Sequence, residues 1–203
     1  MNKISNMPEL IKLDKVTLKR TCLDFAETRV NVILENVSHI EEFLPAFANS
    51  NHSIEDETNY INICNERWNN KEAYNYSVFE NSTGEFIGNF TLFSHSLPKK
   101  VYEFGYWLAQ NKQGNGYITQ IVKALEKFAE ELLDFNRLII VCNEVNKKSA
   151  QIAIRNGYLF EHKAFCADIE GNSLCFVKLK NKKGFKELNN LQDDLKSIYH
   201  IDL

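Results

Sequence analysis

One stretch of the sequence, from Val101 to Cys142, constrains the fold more than any other. It begins with an apolar and aromatic run, Val101 to Ala109, whose composition is typical of a strand. A turn with two glycines follows, and apolar residues then recur at helical spacing from about Asn115 to Leu133. The wholly apolar run Leu138 to Cys142 is typical of a strand buried on both faces. The stretch therefore predicts a strand, a helix and a second strand, as in a βαβ unit.

Further strands and helices are predicted on both sides of this unit. Strands are expected over Val16 to Arg20, Tyr74 to Phe79, Glu85 to Phe93, Tyr158 to Asp168 and Ser173 to Leu179. Helices are expected over Leu23 to Leu34, over Ser53 to Trp68 with Ser53 as N-cap, and over Asn146 to Arg155, where Asn156-Gly157 would end the helix.

Three short segments are expected to interrupt these elements. Asn81 to Gly84 predicts a hairpin turn in which Gly84 adopts a positive φ. Phe43-Leu44-Pro45 is expected to close a short element, because the residue before a proline disfavours helix. Glu170-Gly171-Asn172 predicts the turn between the last two strands.

The order of these elements predicts an α/β fold with a mixed central sheet and helices on both faces. Residues 1–180 are expected to form a single domain, and residues 181–203 a helical tail. In the tail, apolar residues fall at helical spacing, which indicates a helix that docks on its own domain or on a second copy of the chain. They are Leu188, Leu191, Leu195 and Ile198.

Composition and charge argue against several classes of function. The net charge of −3 over 203 residues argues against a broadly basic nucleic-acid-binding surface. Five cysteines without a CxxC pair suit a reducing compartment, and no apolar run approaches the roughly 20 residues of a membrane span. The five histidines form no cluster with ligand spacing, so no metal site is expected. These features favour a cytoplasmic protein with no nucleic-acid or membrane partner.

The segment Gln113-Gly114-Asn115-Gly116, just before the long helix, predicts an anion site. Two glycines allow close backbone approach, and the first helical N–H groups are unpaired and favour a phosphate. A phosphate-binding loop of the Walker type would need Lys-Ser/Thr where Tyr117-Ile118 stands. A dinucleotide fingerprint would need a glycine or alanine at Thr119. A glycine connector without a ligand stays open as an alternative.

Taken together, several motifs resemble the GCN5-related N-acetyltransferase family, and within it the branch that acetylates N-termini of ribosomal proteins. The resemblance spans roughly Val16 to Leu179. It is carried by Glu103-Phe104-Gly105-Tyr106-Trp107-Leu108, by Gln113-Gly114-Asn115-Gly116-Tyr117, and by Asn146-Lys147-Lys148-Ser149 with Arg155-Asn156-Gly157-Tyr158. The family's fold implies a V-splayed sheet, in which the pantetheine arm of acetyl-coenzyme A lies between two strands that move apart.

The resemblance also implies which residues bind acetyl-coenzyme A, the co-substrate, without a metal. The pantetheine arm would contact the backbone of Leu108 and Ala109, together with Asn146. The pyrophosphate would meet backbone N–H groups of Gln113, Gly114, Asn115, Gly116, Tyr117 and Ile118. Ser149 is predicted to act as the acid towards the departing thiolate, because Ala153 stands where many members of the family carry a tyrosine.

Glu103 lies on the strand that leads to the glycine turn, and we expect it to act as base, directly or through water. Tyr102 and Tyr106, assigned to the same face as Glu103, are expected to shape the acceptor pocket. A protein N-terminal α-amine is the expected acceptor, because roughly a tenth of such amines is neutral at pH 7 whereas a lysine is almost always charged.

Two other functions stay open at this point. One is acetylation of a small-molecule amine, such as a polyamine, an aminoglycoside or an amino acid. The other is a non-catalytic module that binds coenzyme A. The expected partners are acetyl-coenzyme A and an amine, and the expected state is a monomer or a homodimer.

Overall fold

The structure, a computed structural model, describes residues 7–96, 99–167 and 171–201. Its strands are β1 Leu10–Lys12, β2 Val16–Arg20, β3 Ala73–Glu80, β4 Phe86–Ser96, β5 Val101–Leu108, β6 Arg137–Asn143, β7 Leu159–Cys166 and β8 Gly171–Leu179. They form one sheet in the order β1-β2-β3-β4-β5-β6-β8-β7. The pairing of β5 with β6 is parallel, and the other pairings in that order are antiparallel. The sheet is therefore mixed, as predicted.

Helices cover both faces of this sheet. They are α1 Ala26–Glu41, α2 Pro45–Ala48, α3 Ile54–Asn69, α4 Tyr117–Leu132, α5 Lys147–Arg155, α6 Lys182–Asn190 and α7 Gln192–Tyr199. α1 contacts β4 and α3 contacts β3, whereas apolar residues of α4 and α5 join the large core cluster with those of β5 and β6. Six consecutive residues of β3, Ala73 to Val78, are buried, because both faces of this strand are covered. Among the described residues, no helix is long and apolar enough to span a membrane.

Most predicted elements are confirmed, but β1 was not predicted, and the helix expected over Leu23 to Leu34 is α1, which runs to Glu41. Ser53 caps α3 in a capping box with Asp56, and Gly84 has the predicted positive φ of 74°. Pro45 begins α2 instead of closing an element, since the first helical position needs no N–H. The predicted turn at 170–172 is wrong for Gly171 and Asn172, which belong to β8; Glu170 lies outside the described residues.

The sheet splits between β5 and β6, as the family's fold implied. These strands pair over only three registers, from Val101 opposite Arg137 to Glu103 opposite Ile139. β6 continues to Asn143 by pairing with β8, while β5 continues to Leu108 by pairing with β4. Beyond Glu103 the two strands therefore share no ladder, and a gap opens towards the start of α4.

The tail after residue 180 forms two helices that pack on the end of the sheet. Leu188 packs against the small cluster of Ile139 and Val177, and Leu195 packs against the main core. The side-chain amide of Gln192 donates to the carbonyl of Phe160 at 2.8 Å and accepts from its N–H at 3.0 Å, as a neighbouring strand would. The predicted docking of the tail on its own domain is therefore seen, although Leu191 and Ile198 are exposed.

Candidate functional site

A large cavity opens beside the split in the sheet and runs from α1 and α3 on one side to α4 and α5 on the other. Its volume is about 1720 Å³, which exceeds the roughly 300–1,000 Å³ of an ordinary small-molecule pocket. Eleven of the thirteen predicted site residues line it: Glu103, Tyr106, Leu108, Gln113, Gly114, Asn115, Gly116, Tyr117, Ile118, Asn146 and Ser149. Tyr102 and Ala109 are not among its lining residues.

The free edge of β5 faces this cavity with unpaired backbone groups. In an antiparallel ladder, residue pairs alternate between hydrogen-bonded and non-hydrogen-bonded. The N–H of Ala109 donates to Ile87 of β4 at 2.9 Å, so this pair is hydrogen-bonded. The pairs that alternate with it, Leu108 with Gly88 and Tyr106 with Phe90, are therefore non-hydrogen-bonded. The backbone groups of Leu108 and Tyr106 consequently point away from β4 and into the gap.

The prediction for Ala109 is not supported by this geometry. Its N–H is engaged by Ile87, and its carbonyl accepts from the N–H of Lys112 at 2.9 Å. Tyr106 takes its place as the second residue of β5 with backbone groups free for a ligand, which the sequence motif alone did not indicate.

The glycine turn presents the start of α4 to the other end of the gap. Gly114 and Gly116 have φ values of 80° and 78°, and a Cβ added at either glycine would meet no atom within 4 Å. The first intrahelical bond from this turn is donated by Gln120 to the carbonyl of Gly116. Among the described residues, the N–H groups of Tyr117, Ile118 and Thr119 are the unpaired donors of this helix start, which favours an anion in the open space above the glycines. The predicted contribution of the Gln113 N–H is not supported, because that group donates to the carbonyl of Gln110 at 3.4 Å.

Side chains beneath the turn fix it from the opposite side. Lys112 donates to Glu80 and Glu85 of the β3–β4 hairpin, each at 2.7 Å, and the Tyr117 hydroxyl donates to Glu80. The bond from Lys112, together with that from Tyr117, lowers the pKa of Glu80 to about 2. The Tyr117 side chain is thus held by the hairpin, and only its backbone N–H is left for a ligand.

Two other predicted residues have their side chains partly engaged within the protein. The Gln113 amide contacts the His39 ring on α1, and it accepts from Lys148 on α5 at 2.8 Å. Asn146 caps α5, since its Oδ1 accepts from the N–H of Ser149 at 3.0 Å. Gln113 therefore spans the cavity mouth, whereas Asn146 orients the first turn that carries Ser149.

Ser149 and Tyr106 form a hydroxyl pair at the gap. Their oxygen atoms lie 2.9 Å apart, and the Ser149 side chain comes from α5 whereas Tyr106 comes from β5. Burial raises the pKa of Tyr106 above its usual range, so the phenol keeps its proton near neutral pH. Burial likewise raises the pKa of the neighbouring Cys142 to about 11. The Tyr106 phenol and the Cys142 thiol on this side of the gap are therefore protonated near neutral pH.

Glu103 lies on the other face of the sheet, towards α1 and α3. Its side chain is 15% exposed, and the ring of His95 lies 3.5 Å from its carboxylate. Burial raises the pKa of Glu103 to about 7, because a partly buried carboxylate loses hydration. A base with a pKa near neutrality is well matched to removing a proton from an amine at physiological pH.

The predicted positions of the two tyrosines relative to Glu103 are wrong. Successive side chains of a strand point to opposite faces, so Tyr102 and Tyr106 lie on the face opposite to Glu103. Tyr102 is 8% exposed and belongs to the main core cluster, together with Phe104 and Leu108. Tyr106 meets Ser149 as described. On the face of Glu103, where an acceptor pocket is expected, the cavity is instead bordered by Phe93, Gly105 and Trp107.

A buried polar network forms the floor of that pocket, and sequence reasoning missed it. Arg29 of α1 is 1% exposed; it donates to Glu57 at 2.5 Å, to Asn89 at 2.9 Å and to Ser77 at 3.1 Å. Asn89, Thr91 and Asn75 line the cavity above it. The signal was present in the sequence, because Arg29 falls on the apolar stripe of α1 with Ala26, Val30 and Ile33.

A second polar cluster lies at the far edge of the cavity. Ligand-type atoms of Glu161, His162 and Cys175 are within 4.8 Å of one another, although their sequence spacing predicted no such group. Arg137 donates to Glu161, and burial followed by the charge of Glu161 raises the pKa of Cys175 to about 12. The cluster thus pairs its carboxylate with an arginine and keeps its thiol protonated.

Comparison with known proteins identifies the family to which the sequence is similar. The sequence profile described as "Acetyltransferase (GNAT) domain" matches residues 18–159. A ribosomal-protein-serine acetyltransferase of Escherichia coli (strain K12) is 39% identical over 62 residues, which are 30% of this chain and 35% of that protein. The Bacillus subtilis (strain 168) protein YdaF is 35% identical over 81 residues, 40% of this chain and 44% of that protein. The matched segments thus span less than half the length of these relatives.

Solved structures extend the likeness to most of the chain. The RimL acetyltransferase of ribosomal protein L7/L12, in complex with coenzyme A, superposes with a TM-score of 0.74 at 20% identity, over 84% of this chain and 98% of that one. The microcin C7 self-immunity acetyltransferase MccE, in complex with acetyl-coenzyme A and AMP, gives a TM-score of 0.75 at 25% identity, over 86% of this chain and 98% of that one.

Proposed function

Because this chain belongs to the acetyltransferase (GNAT) domain family, we propose that it transfers the acetyl group of acetyl-coenzyme A to a primary amine. The observation that carries the proposal is one cavity in which a free strand edge, an open helix start and a carboxylate with a pKa of about 7 meet. The amine that we propose is the α-amine of a protein N-terminus, and both substrates would be bound when the amine attacks the thioester.

Acetyl-coenzyme A would be held chiefly by backbone groups. The unpaired groups of Tyr106 and Leu108 suit the amides of the pantetheine arm, which would run along the free edge of β5 as an additional strand. The N–H groups at the start of α4 suit the pyrophosphate, and the space that a Cβ would occupy at Gly114 and Gly116 is open for it. Lys148 lies at the cavity mouth and adds positive charge there.

Glu103 is proposed as the base that accepts a proton from the attacking amine. It lies on the acceptor face, and a pKa of about 7 leaves a large fraction of it ionised at neutral pH. As the bond from nitrogen to the acetyl carbon forms and the carbon–sulfur bond breaks, the proton of the amine passes to Glu103 or to water bound to it.

Ser149 is proposed as the donor to the departing thiolate, with Tyr106 as a positioning residue. The Tyr106 hydroxyl, at 2.9 Å, can donate to Ser149 Oγ, which leaves the Ser149 proton available for the sulfur. The base and this donor pair lie on opposite faces of the sheet, so the amine would enter from one side of the split while the thiolate leaves on the other.

Three observations support an N-terminal α-amine over other acceptors. Two of the relatives reported above are named as acetyltransferases of ribosomal proteins. The cavity is large enough for a peptide beside the coenzyme. A base with a pKa near 7 is sufficient for an α-amine, whereas a lysine would need a far stronger one. We also propose the cytoplasm as the compartment, since all five cysteines are unpaired.

The test is titration of the purified protein with acetyl-coenzyme A, followed by release of free thiol on a panel of N-terminal peptides, polyamines and aminoglycosides. We expect saturable binding and turnover on the peptides. Turnover confined to polyamines or aminoglycosides would overturn the proposed acceptor. Binding without turnover on any amine would identify a coenzyme A-binding module, and an absence of binding would contradict the proposed role of the glycine turn.

A further inference from the structure

The hydroxyl of Thr91 lies in the polar floor of the acceptor pocket, and its hydrogen bonds determine where its proton can point. Its oxygen accepts two hydrogen bonds, from the side-chain amides of Asn75 at 2.9 Å and Asn89 at 3.0 Å. Both lone pairs of a hydroxyl oxygen are then used. Within the part of the chain that the structure describes, no protein acceptor is bonded to the Thr91 proton, and Thr91 lines the cavity.

The direction of these bonds is fixed by Arg29, which can only donate. Arg29 donates to Asn89 Oδ1 at 2.9 Å, so the amide nitrogen of Asn89 must point the other way, towards Thr91. The first of two donor chains therefore runs from the guanidinium through Asn89 to Thr91. The buried guanidinium is itself held by Glu57, so its orientation is not free to change.

The second chain reaches Thr91 by a longer route. Arg29 donates to Ser77, which lies 3.0 Å from Thr21, and Thr21 donates to Asn75 Oδ1 at 2.8 Å. Since the one proton of Thr21 goes to Asn75, Ser77 is the donor in its pair with Thr21. A reversed Asn75 amide would leave the proton of either Thr21 or Ser77 without an acceptor, because the two hydroxyls share one contact. These residues are 1% and 0% exposed, so the loss is costly. Asn75 therefore also donates to Thr91.

We propose that Thr91 is a specificity-determining residue, a fixed hydrogen-bond donor that recognises an oxygen acceptor next to the reacting amine. This inference rests on the proposed function. In a protein N-terminus the oxygen is the carbonyl of the first residue. A polyamine offers only further ammonium donors near its amine, and these cannot accept from a hydroxyl.

The register of the sheet places this donor close to the base. Thr91 lies opposite Gly105, and Glu103 lies opposite Phe93, so Thr91 and Glu103 are diagonal neighbours on one face. Diagonal neighbours are about 7–8 Å apart, within reach of one small group bonded to both. Gly105 leaves the floor beside Thr91 without a side chain, and the Phe93 ring borders it, 3.4 Å from where a Cβ of residue 105 would lie.

The test is a cycle between Thr91 and the substrate carbonyl. Wild type and Thr91→Val are compared on a peptide with a free N-terminus and on its analogue in which the first carbonyl is reduced to a methylene. Reducing the carbonyl also changes the pKa of the substrate amine. This change affects wild type and Thr91→Val equally, so it cancels when their preferences are compared. We expect wild type to prefer the carbonyl peptide by about tenfold more in kcat/KM than Thr91→Val does. Thr91→Ser is expected to restore that preference.

Valine removes the acceptor of two buried amides, so unfolding and acetyl-coenzyme A binding are measured on each variant. If Thr91→Val does not fold, Thr91→Cys carries the test, because a thiol is a weak donor and a weak acceptor; an intermediate preference is expected. A preference of Thr91→Val within twofold of that of wild type, or of Thr91→Cys where it replaces the valine variant, overturns the inference, while turnover on peptides leaves the proposed function standing. An absence of turnover on every amine in wild type overturns both.

Discussion

The two sides of the cavity differ in the kind of group that lines them. The coenzyme side consists mainly of backbone groups from one continuous segment, Tyr106 to Ile118, shaped by two glycines with positive φ. The proposed acceptor side consists of side chains from α1, α3, β3, β4 and β5, and Arg29 lies 60 positions from its partner Asn89. A backbone site depends on chain geometry and tolerates many side chains, whereas a side-chain network depends on every member.

The largest effect is expected from removing the centre of that network. Arg29→Ala would leave Glu57 buried and unpaired, so we expect a loss of about 3–5 kcal/mol in the free energy of unfolding, measured in urea. The control is Lys183→Ala, which breaks an ion pair with Glu187 in which the two side chains are 86% and 67% exposed. That change is expected to cost less than about 1 kcal/mol. Equal losses in the free energy of unfolding of both variants would contradict the expected difference between a buried network and an exposed ion pair.

Glu103→Gln tests the base on the acceptor side. We expect kcat/KM to fall by about 100-fold or more, with the affinity for acetyl-coenzyme A unchanged. In wild type kcat/KM is expected to rise with pH through an apparent pKa of about 7, because the base must be ionised. Glu27→Gln, an exposed carboxylate on α1, is the control. A flat pH profile, or a full rate in Glu103→Gln, would exclude Glu103 as the base.

The same substitution is expected to stabilise the fold at high pH. Folding raises the pKa of Glu103 to about 7 from the 4.5 of a free side chain, so the native state prefers the protonated form. Its ionisation therefore lowers stability increasingly as pH rises through this interval, and the loss is complete above pH ~7. Glu103→Gln should raise the free energy of unfolding at pH 8 by about 1–3 kcal/mol. The gain should vanish near pH 4, and a pH-independent gain would argue against this cause.

The same contrast explains what the sequence could predict. The glycine turn, the helix start and the strand before it are local, so their residues are adjacent in the chain and their spacing indicates an anion site. Glu103 and Ser149 also lie in short continuous motifs, and the resemblance of these motifs to the family predicted their roles. The donor chains to Thr91 join residues of α1, β3 and β4 with Thr21, which follows β2, and no spacing reveals them. Only Arg29, a charge on an apolar helical stripe, marked their position.

The errors have equally physical causes. The face of Tyr106 follows from the two-residue period of β5, and its pairing with Ser149 needed the packing of α5 against the split. The engagement of Ala109 depends on which β4 residues bond to β5, and therefore on register, which the sequence of one strand does not contain. Local chemistry was thus predictable, and the partners supplied by distant elements were not.

On the coenzyme side, Gly116→Ala is expected to weaken acetyl-coenzyme A binding by about tenfold. A residue other than glycine pays roughly 1–2 kcal/mol for a left-handed conformation, and its Cβ would enter the space proposed for the pyrophosphate. Gly84→Ala is the matched control, because Gly84 has a similar φ of 74° and the same open surroundings in a turn away from the cavity. Both variants should lose similar stability in thermal unfolding. Equal affinity in the two variants would contradict a phosphate site at the start of α4.

The smallest effects are expected where the two sides meet, at the hydroxyl pair of Ser149 and Tyr106. We expect Ser149→Ala to lower kcat by about tenfold and Tyr106→Phe by about threefold, with little change in KM for either substrate. If Tyr106 acts through Ser149, the double variant should be no slower than Ser149→Ala alone. Additive losses, measured by thiol release under saturating acetyl-coenzyme A, would mean that Tyr106 contributes by a separate route. A raised KM for acetyl-coenzyme A with an unchanged kcat in Ser149→Ala would show that the hydroxyl serves binding and not departure of the thiolate.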